Sequence, residues 1–173
     1  GRVLFCKREA GNMPSTKLSM DEIYALVTKA KENDAVSQNL LGVHYASGDV
    51  GGGVDNNKAI GWYLRSSCQG YTEAMWNAGS MLIDGEESVA KDSALGLLLI
   101  RVSAEAFHSS ACLFLSGCYE RGRYGVPVVA ELANFWMQAS WSCGSIREYS
   151  ASADVELISS YIKWKYRRQL AGC

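Results

Sequence analysis

The sequence predicts an all-α protein, an α-solenoid of about three helix-turn-helix repeats between N- and C-terminal capping helices, and three observations support this fold class. First, segments that begin at residues 37, 74 and 111 align when the chain is shifted by 37 residues, and such a period is typical of stacked repeats. Second, each segment ends in a glycine, at Gly48, Gly85 and Gly122, where a helix can stop in a left-handed turn without steric cost. Third, another apolar segment follows each glycine, so every unit should hold two helices.

Composition indicates one folded domain and excludes some partners. Of the 173 residues, 48% are hydrophobic and 20% are charged, which is ordinary for a globular protein. With 17 basic and 18 acidic residues the chain lacks the positive field that collects nucleic acid or coats an anionic membrane. The longest apolar run, residues 94–100, is shorter than the roughly 20 residues of a membrane helix. We therefore expect no nucleic-acid partner, no transmembrane segment and no binding to a membrane surface.

The N-terminal part of the chain predicts a lead-in followed by a cap. Residues 1–19 contain Gly, Asn, Pro and Ser and should be irregular. Ser19 and Glu22 have the spacing of a capping box, in which each side chain satisfies a backbone amide of the first helical turn. The capping segment is therefore 20–34, with a helix from about Met20 to Asn33 and one apolar face.

Residues 35–145 should form the three repeats. Each begins with a helix that we call helix A and continues, after a loop, with a helix that we call helix B. Asn57 and Asp92 are placed to cap the first two B helices, and Pro127 precedes the third. The predicted A helices cover about 36–47, 73–84 and 110–121, and the predicted B helices cover about 57–69, 92–106 and 129–142.

Residues 146–173 should contain a C-terminal capping helix. Between residues 154 and 169 one helical stripe carries Val155, Ile158, Ile162 and Tyr166. We expect this stripe to cover the apolar end of the last repeat, which would otherwise invite stacking with another molecule. Residues 161–168 mix basic and aromatic side chains, so an alternative is contact with lipid headgroups or an acidic partner.

The first unit resembles a Sel-1-like repeat, a relative of the tetratricopeptide repeat. Residues 39–48 and 57–63 carry that family's leucine-glycine, tyrosine, glycine, alanine and tryptophan-tyrosine positions. The second unit has leucines in place of the aromatic residues, and the third has Ser116 where glycine is usual. The resemblance implies that small residues at 37, 42, 74, 79, 111 and 116 let helix A sit close to helix B.

The resemblance also implies a function. Members of the family are adaptors and regulators, so we expect a non-enzymatic protein that holds a partner on its concave helical surface. A narrower hypothesis is a bacterial inhibitor or immunity protein that neutralises a toxin or a lipase effector. The alternative is a regulatory scaffold of an envelope or secretion system. Both favour a periplasmic or secreted location over a cytoplasmic one.

If helix A lines the inner curve, as the resemblance implies, the positions that the repeat pattern leaves unassigned fall on that curve. Steps of four and three residues place each trio on one helical face, and the mixture of Met, aromatic, Arg and small polar side chains suits a protein interface. The alternative is that several of them, Leu40 and Phe114 first, are core residues. The predicted partner-binding side chains are Leu40, His44, Ser47, Asn77, Met81, Asp84, Phe114, Cys118 and Arg121.

The polar residues show no pattern of catalysis or metal binding. The two histidines, His44 and His108, lack a nucleophile and an acid at a recognisable spacing. No Cys-x-x-Cys pair or Cys/His cluster is present, so we expect no metal site, no cofactor and no catalytic residue. A less favoured alternative is a hydrolase that uses His44 with Asp84 or Cys118, and self-assembly through an exposed solenoid end is a third hypothesis.

One disulfide is predicted under a condition. Cys112 opens the third helix A, and Cys143 closes its antiparallel helix B partner, so a hairpin would bring the two together. If the chain is exported to an oxidising compartment, we expect a bond between Cys112 and Cys143.

Overall fold

The computed structural model describes residues 18–50, 52–141 and 153–171, and this part is built almost entirely from helices. The only extended pairing in these ranges is one isolated bridge between Glu86 and Val89. The all-α prediction is therefore confirmed. The helices are α1 (Met20–Lys31), α2 (Ala35–Ser47), α3 (Asn56–Ser67), α4 (Thr72–Asp84), α5 (Ser93–Glu105), α6 (Ser109–Arg121), α7 (Ala130–Trp141), α8 (Ala153–Lys165) and α9 (Arg167–Ala171), and a 3₁₀ turn covers Arg123–Gly125.

The helices from α1 to α7 pack in the order of the chain, each against the one before it. The helix pairs α2/α3, α4/α5 and α6/α7 are the three predicted repeats, and α1 lies against α2 as the N-terminal cap. The predicted ends of these seven helices lie within two residues of the observed ends. None of the described helices is long and apolar enough to cross a bilayer.

Side chains at the helix starts explain most boundaries. The capping box is confirmed, because Ser19 accepts from the amide of Glu22 and the Glu22 carboxylate accepts from the amide of Ser19. Asp92 caps α5 as predicted. The prediction that Asn57 caps the first helix B is wrong: Asp55 precedes the helix, and its carboxylate accepts from the Lys58 amide at 3.0 Å. A cap must be the last residue before the first turn, whereas residue 57 already lies inside it.

Small residues hold the two helices of a repeat in close contact. A Cβ atom added to Gly79 would lie 2.7 Å from Cγ1 of Ile100, and one added to Gly96 would lie 2.8 Å from the backbone nitrogen of Ile83. In the first repeat Gly42 lies against the ring of Tyr63, and an added Cβ atom would be 2.7 Å from that ring. The close approach that the repeat pattern implied is therefore present in the first two repeats.

The core is divided among three clusters that follow the solenoid. Under α1, the first cluster contains Ala30, Leu41 and Trp62. A second cluster joins α5, α6 and α7 and includes Ile83 of α4. The largest unites α3, α4 and α5 and includes Val155, Ile158 and Ile162 of α8, together with Tyr166 between α8 and α9.

The C-terminal helices lie against the early repeats rather than over the last one. The predicted stripe of α8 is buried, and the Tyr166 hydroxyl and the Lys165 ammonium donate to the Asp92 carboxylate at 2.8 and 2.6 Å. Farther along, Arg65 of α3 donates to the backbone carbonyl of Leu170. The expectation that this stripe covers the last repeat is wrong, because α3 and α5 offer it an apolar surface and Asp92, the half-buried cap of α5, offers it an acceptor.

Candidate protein-binding surface

The nine predicted partner-binding residues all lie on the A helices α2, α4 and α6, but not all are exposed to solvent. Asn77, Met81 and Cys118 are buried. Little of these three side chains is accessible to a partner, and the binding role of all nine residues stays a prediction. The six that keep contact with solvent are Leu40, His44, Ser47, Asp84, Phe114 and Arg121.

Packing between neighbouring repeats explains the three buried positions. The Asn77 side-chain amide donates to Oδ1 of Asn39 at 3.0 Å, which joins α4 to α2. Met81 belongs to the main core cluster. Burial raises the pKa of the Cys118 thiol to about 11, and the nearby Arg123 only partly opposes this. The solvent-accessible positions of α4 and α6 therefore include Trp76 and Leu113 beside the predicted Asp84, Phe114 and Arg121.

Four rings form a continuous row across α4, α6 and the 3₁₀ turn, which we call the aromatic strip: Trp76, His108, Phe114 and Tyr124. The Trp76 ring stacks on His108 with centroids 5.8 Å apart and meets Phe114 edge-on at 6.2 Å. Phe114 stacks on Tyr124 at 5.7 Å. All four side chains are partly exposed. Such rings supply large contact area with few rotamers to fix.

Polar contacts hold the strip in place. The Tyr124 hydroxyl donates to both carboxylate oxygens of Asp84 at 3.0 Å. Burial and, to a lesser extent, the hydrogen bond to the Asp84 carboxylate together raise the pKa of Tyr124 to about 12, so the phenol is neutral at physiological pH. His108 caps α6 by accepting from the Ala111 amide, and its Nε2 lies 2.6 Å from the Glu73 carboxylate. The two rings at the ends of the strip are thereby fixed from both sides.

A groove of about 210 Å³ lies beside the strip. Three predicted residues, Phe114, Cys118 and Arg121, line this one groove. The groove is open above Gly117, since no atom lies within 4 Å of a Cβ atom added to that residue. Its chemistry is apolar with basic groups at the rim. The remaining lining residues are Leu113, Gly117, Arg123 and Tyr124.

The end of α2 forms a separate polar cluster. Nδ1 of His44 lies 3.3 Å from Oδ2 of Asp49, and the Ser47 hydroxyl donates to the same oxygen at 2.5 Å. Asp84, in contrast, accepts from Tyr124 and lies 3.9 Å from the Lys91 ammonium. His44 and Asp84, two of the three residues named for a hydrolase, thus contact other side chains rather than each other.

Sequence reasoning missed Trp76, Leu113 and Tyr124. The sequence did contain a signal for Trp76 and Leu113. They occupy the same position of successive repeats, 37 residues apart, and the repeat pattern does not require a large apolar side chain there. Tyr124 follows the terminating glycine of α6 and has a left-handed backbone with φ of 55°, which no local pattern indicated.

Cys143 lies outside the described residues, so the predicted disulfide stays a prediction. In the described ranges no group of three or more His, Cys, Asp or Glu side chains could hold a metal ion.

Comparison with known proteins places the repeats in a family. The profile of the Sel1 repeat matches residues 35–71, 72–106 and 109–145. No curated protein sequence matches the chain. Among solved structures, a Sel1 repeat protein from Oxalobacter formigenes is 20% identical with a TM-score of 0.62, and the match covers 73% of this chain and 94% of that one.

A second solved structure is c5321, described as a protective antigen of uropathogenic Escherichia coli strains that displays the same repeat fold. It is 22% identical with a TM-score of 0.63, and the match covers 88% of this chain but only 32% of that longer one. These likenesses concern the fold, and the three matched units cover more than half of the sequence. The chain therefore belongs to the Sel1 repeat family.

Proposed function

We propose that this protein is a non-enzymatic adaptor that holds one protein partner on the exposed surface of its A helices. Sel1 repeats generally mediate protein-protein interaction, and this chain carries three of them. The observation that carries the proposal for this chain is the aromatic strip beside the groove. Partly exposed aromatic rings next to arginines are the composition of interface hot spots.

The geometry of the strip favours a protein partner over a small molecule. The groove is shallow and open along one side of α6, whereas sites for small molecules enclose most of the ligand surface. Trp76 and Phe114 are held by stacking on neighbouring rings, so little side-chain freedom is lost when a partner covers them. Arg121 and Arg123 at the rim favour a partner segment with carboxylates near an apolar side chain.

Within this function we favour an inhibitor or immunity protein that neutralises a bacterial toxin or lipase effector. A regulatory scaffold of an envelope or secretion system is the alternative, and both fit a periplasmic or secreted location. The aromatic strip and the groove beside it support the first, since such a patch on α4 and α6 can cover the active site of one bound enzyme. A hydrolase is less favoured because Asp84, one of the two groups named as the partner of His44, accepts hydrogen bonds from Tyr124 instead.

The decisive experiment is capture of partners from the source cell with the wild-type chain and with a Trp76→Ala, Phe114→Ala double variant. Loss of two central aromatic anchors is expected to weaken binding by about 2 kcal/mol or more, roughly 30-fold. The matched control is Trp164→Ala, which removes an exposed aromatic ring from α8, away from the A helices. A partner retained equally by the double variant, with an unchanged circular dichroism spectrum, would refute the proposal.

A purified partner then separates the narrower hypotheses. An inhibitor should abolish the partner's enzymatic activity at a one-to-one ratio, whereas a scaffold should bind without changing it. The hydrolase alternative is tested by His44→Ala in the chain alone. A catalyst would lose turnover and keep its fold, while an adaptor would lose at most part of its affinity.

A further inference from the structure

Helix α8 carries a second apolar row in addition to its buried face. Leu157, Tyr161 and Trp164 follow one another at steps of four and three residues, and they are 71%, 40% and 68% exposed. At roughly 100° per residue, the three lie within about 60° of one another around the helix axis. The rings of Tyr161 and Trp164 are neighbours, with centroids 6.0 Å apart. The row is therefore one continuous patch, which we call the outer row of α8.

The outer row faces away from the solenoid. The buried face of α8 consists of Val155, Ile158 and Ile162, which belong to the core cluster of α3, α4 and α5. The centre of this buried face lies roughly 130° around the helix axis from the centre of the outer row. Because the solenoid occupies the buried face, the outer row is presented to whatever the protein meets.

The charge near the outer row is positive. Acidic and basic residues nearly balance over the whole sequence, which predicts no membrane binding, but they are unevenly distributed. Glu156 is the last acidic residue, and four basic residues follow it. Among the described residues, one of the four has a carboxylate partner, since the Lys165 ammonium lies 2.6 Å from Asp92, and the other three have none within salt-bridge distance. The four are Lys163, Lys165, Arg167 and Arg168.

The basic side chains flank the outer row on both sides. Backbone hydrogen bonds of helical spacing continue from α8 through residue 166 into α9, so the helical positions extend to the two arginines. Arg167 and Lys165 then lie on opposite sides of the row, and Arg168 continues it. The Lys165 ammonium also lies 5.4 Å from the centroid of the Tyr161 ring. An apolar, aromatic row thus runs between positive groups.

This arrangement is complementary to a flat anionic surface. Trp and Tyr rings are enriched where a protein meets the membrane interface, and Lys and Arg lay their stems along apolar surface while their charged ends reach phosphates. A planar negative field attracts the cations on both sides of the row at once, whereas an acidic peptide segment follows a single line. We propose that the outer row of α8 binds the surface of a bilayer that contains anionic lipids, with Leu157 and Trp164 inserted among the headgroups.

Co-sedimentation of the whole chain with lipid vesicles tests the proposal. The chain is expected to bind vesicles of about one-third phosphatidylglycerol in phosphatidylcholine, and to bind phosphatidylcholine vesicles at least about tenfold more weakly. Trp164→Glu and the Arg167→Gln, Arg168→Gln double variant should each lower binding to the anionic vesicles roughly tenfold or more. The matched controls are Trp141→Glu, at an exposed tryptophan of α7, and a double variant of two exposed lysines of α1, Lys29→Gln with Lys31→Gln.

Each outcome decides the proposal. Failure of the wild-type chain to bind anionic vesicles would overturn it, and so would equal binding to both kinds of vesicle. Unchanged binding in the α8 variants, or an equal loss in the controls, would overturn it too. If the chain ignored vesicles but the α8 variants lost an acidic protein on capture from the source cell, the outer row would be a protein-binding surface instead.

Two further measurements keep the test independent of folding and of the adaptor function. Circular dichroism checks the fold of each variant, and the arginine double variant decides if Trp164→Glu unfolds. The Trp76→Ala, Phe114→Ala variant should bind anionic vesicles as the wild type does, because its changes lie on the A helices. The membrane proposal and the adaptor proposal can therefore fail separately.

Discussion

The surroundings of two helical glycines, Gly96 in α5 and Gly117 in α6, predict opposite effects on stability when each is replaced by alanine. A Cβ atom at Gly96 would lie 2.8 Å from the backbone nitrogen and 2.9 Å from Cα of Ile83. Both are backbone atoms, so no side chain can rotate away. The two helices would have to separate by at least about 0.6 Å, the difference between 2.8 Å and the 3.4 Å at which ordinary contact begins. At Gly117 in α6, nothing lies within 4 Å of the added atom.

The magnitudes follow from these distances. Overpacking of a core costs about 1–3 kcal/mol, with rigid backbone contacts at the upper end. Alanine recovers about 1 kcal/mol of helix propensity relative to glycine. Gly96→Ala should therefore lower the free energy of unfolding by about 2 kcal/mol, whereas Gly117→Ala should raise it by about 0.5–1 kcal/mol. At roughly 2–4 °C per kcal/mol for a chain of this size, the two melting temperatures should move in opposite directions.

Thermal and urea unfolding, followed by circular dichroism at the helical band, measure both variants. The pair is matched, because each replaces a helical glycine by alanine and only the surroundings differ. If Gly96→Ala proved as stable as the wild type, the close approach of α4 and α5 would be wrong. If Gly117→Ala were strongly destabilised, the open space beside the groove would be wrong.

Three further predictions concern the C-terminal helix and the cysteines. Burial raises the pKa of Asp92, but the hydrogen bonds from Lys165 and Tyr166 outweigh it and lower the pKa overall. The stability that these hydrogen bonds contribute is therefore present at neutral pH and is lost as the pH falls through about 4 and below. Asp92→Asn should cost about 1–3 kcal/mol of unfolding free energy at pH 7 and should make that stability less dependent on pH in the acid range. With a pKa of about 11, Cys118 should react with iodoacetamide at pH 8 about a hundredfold or more slowly than an ordinary exposed thiol, and rapid labelling in the native protein would show that α6 opens. A non-reduced digest of protein from an oxidising compartment should contain a peptide pair linked through Cys112 and Cys143, and recovery of both as thiols would refute the predicted bond.

Local patterns in the sequence were enough for the helices and for their contacts within a repeat. Ser19, Asp92 and the terminal glycines act within one or two turns of where they stand, and Gly42 and Gly79 are set by the repeat itself. The exposed face was harder, because neighbouring repeats bury the row of Asn77 and Met81, and that burial depends on how units stack rather than on spacing along one helix.

The location of the C-terminal helix was beyond the reach of the sequence. The stripe of Val155 and Ile162 shows that α8 has a buried face, but it is compatible with any apolar surface on the solenoid. The Asp92 carboxylate, 74 positions before Tyr166, accepts a hydrogen bond from the Tyr166 hydroxyl and so favours the observed location. Periodicity carries no information about a single long-range acceptor of this kind.

The return of the C-terminal helices to α3 and α5 changes how the protein should unfold. In a simple solenoid each unit contacts only its neighbours, so either end can fray independently. Here the contact of Arg65 with Leu170 spans 105 positions of the chain, which ties the first two units and the C-terminus into one cooperative block. The third unit, α6 and α7, lies outside that block and should open at the lowest free energy. Phe114 and Tyr124 lie in or beside this unit, and a partner that binds only its closed form should slow hydrogen exchange in α6 and α7 markedly.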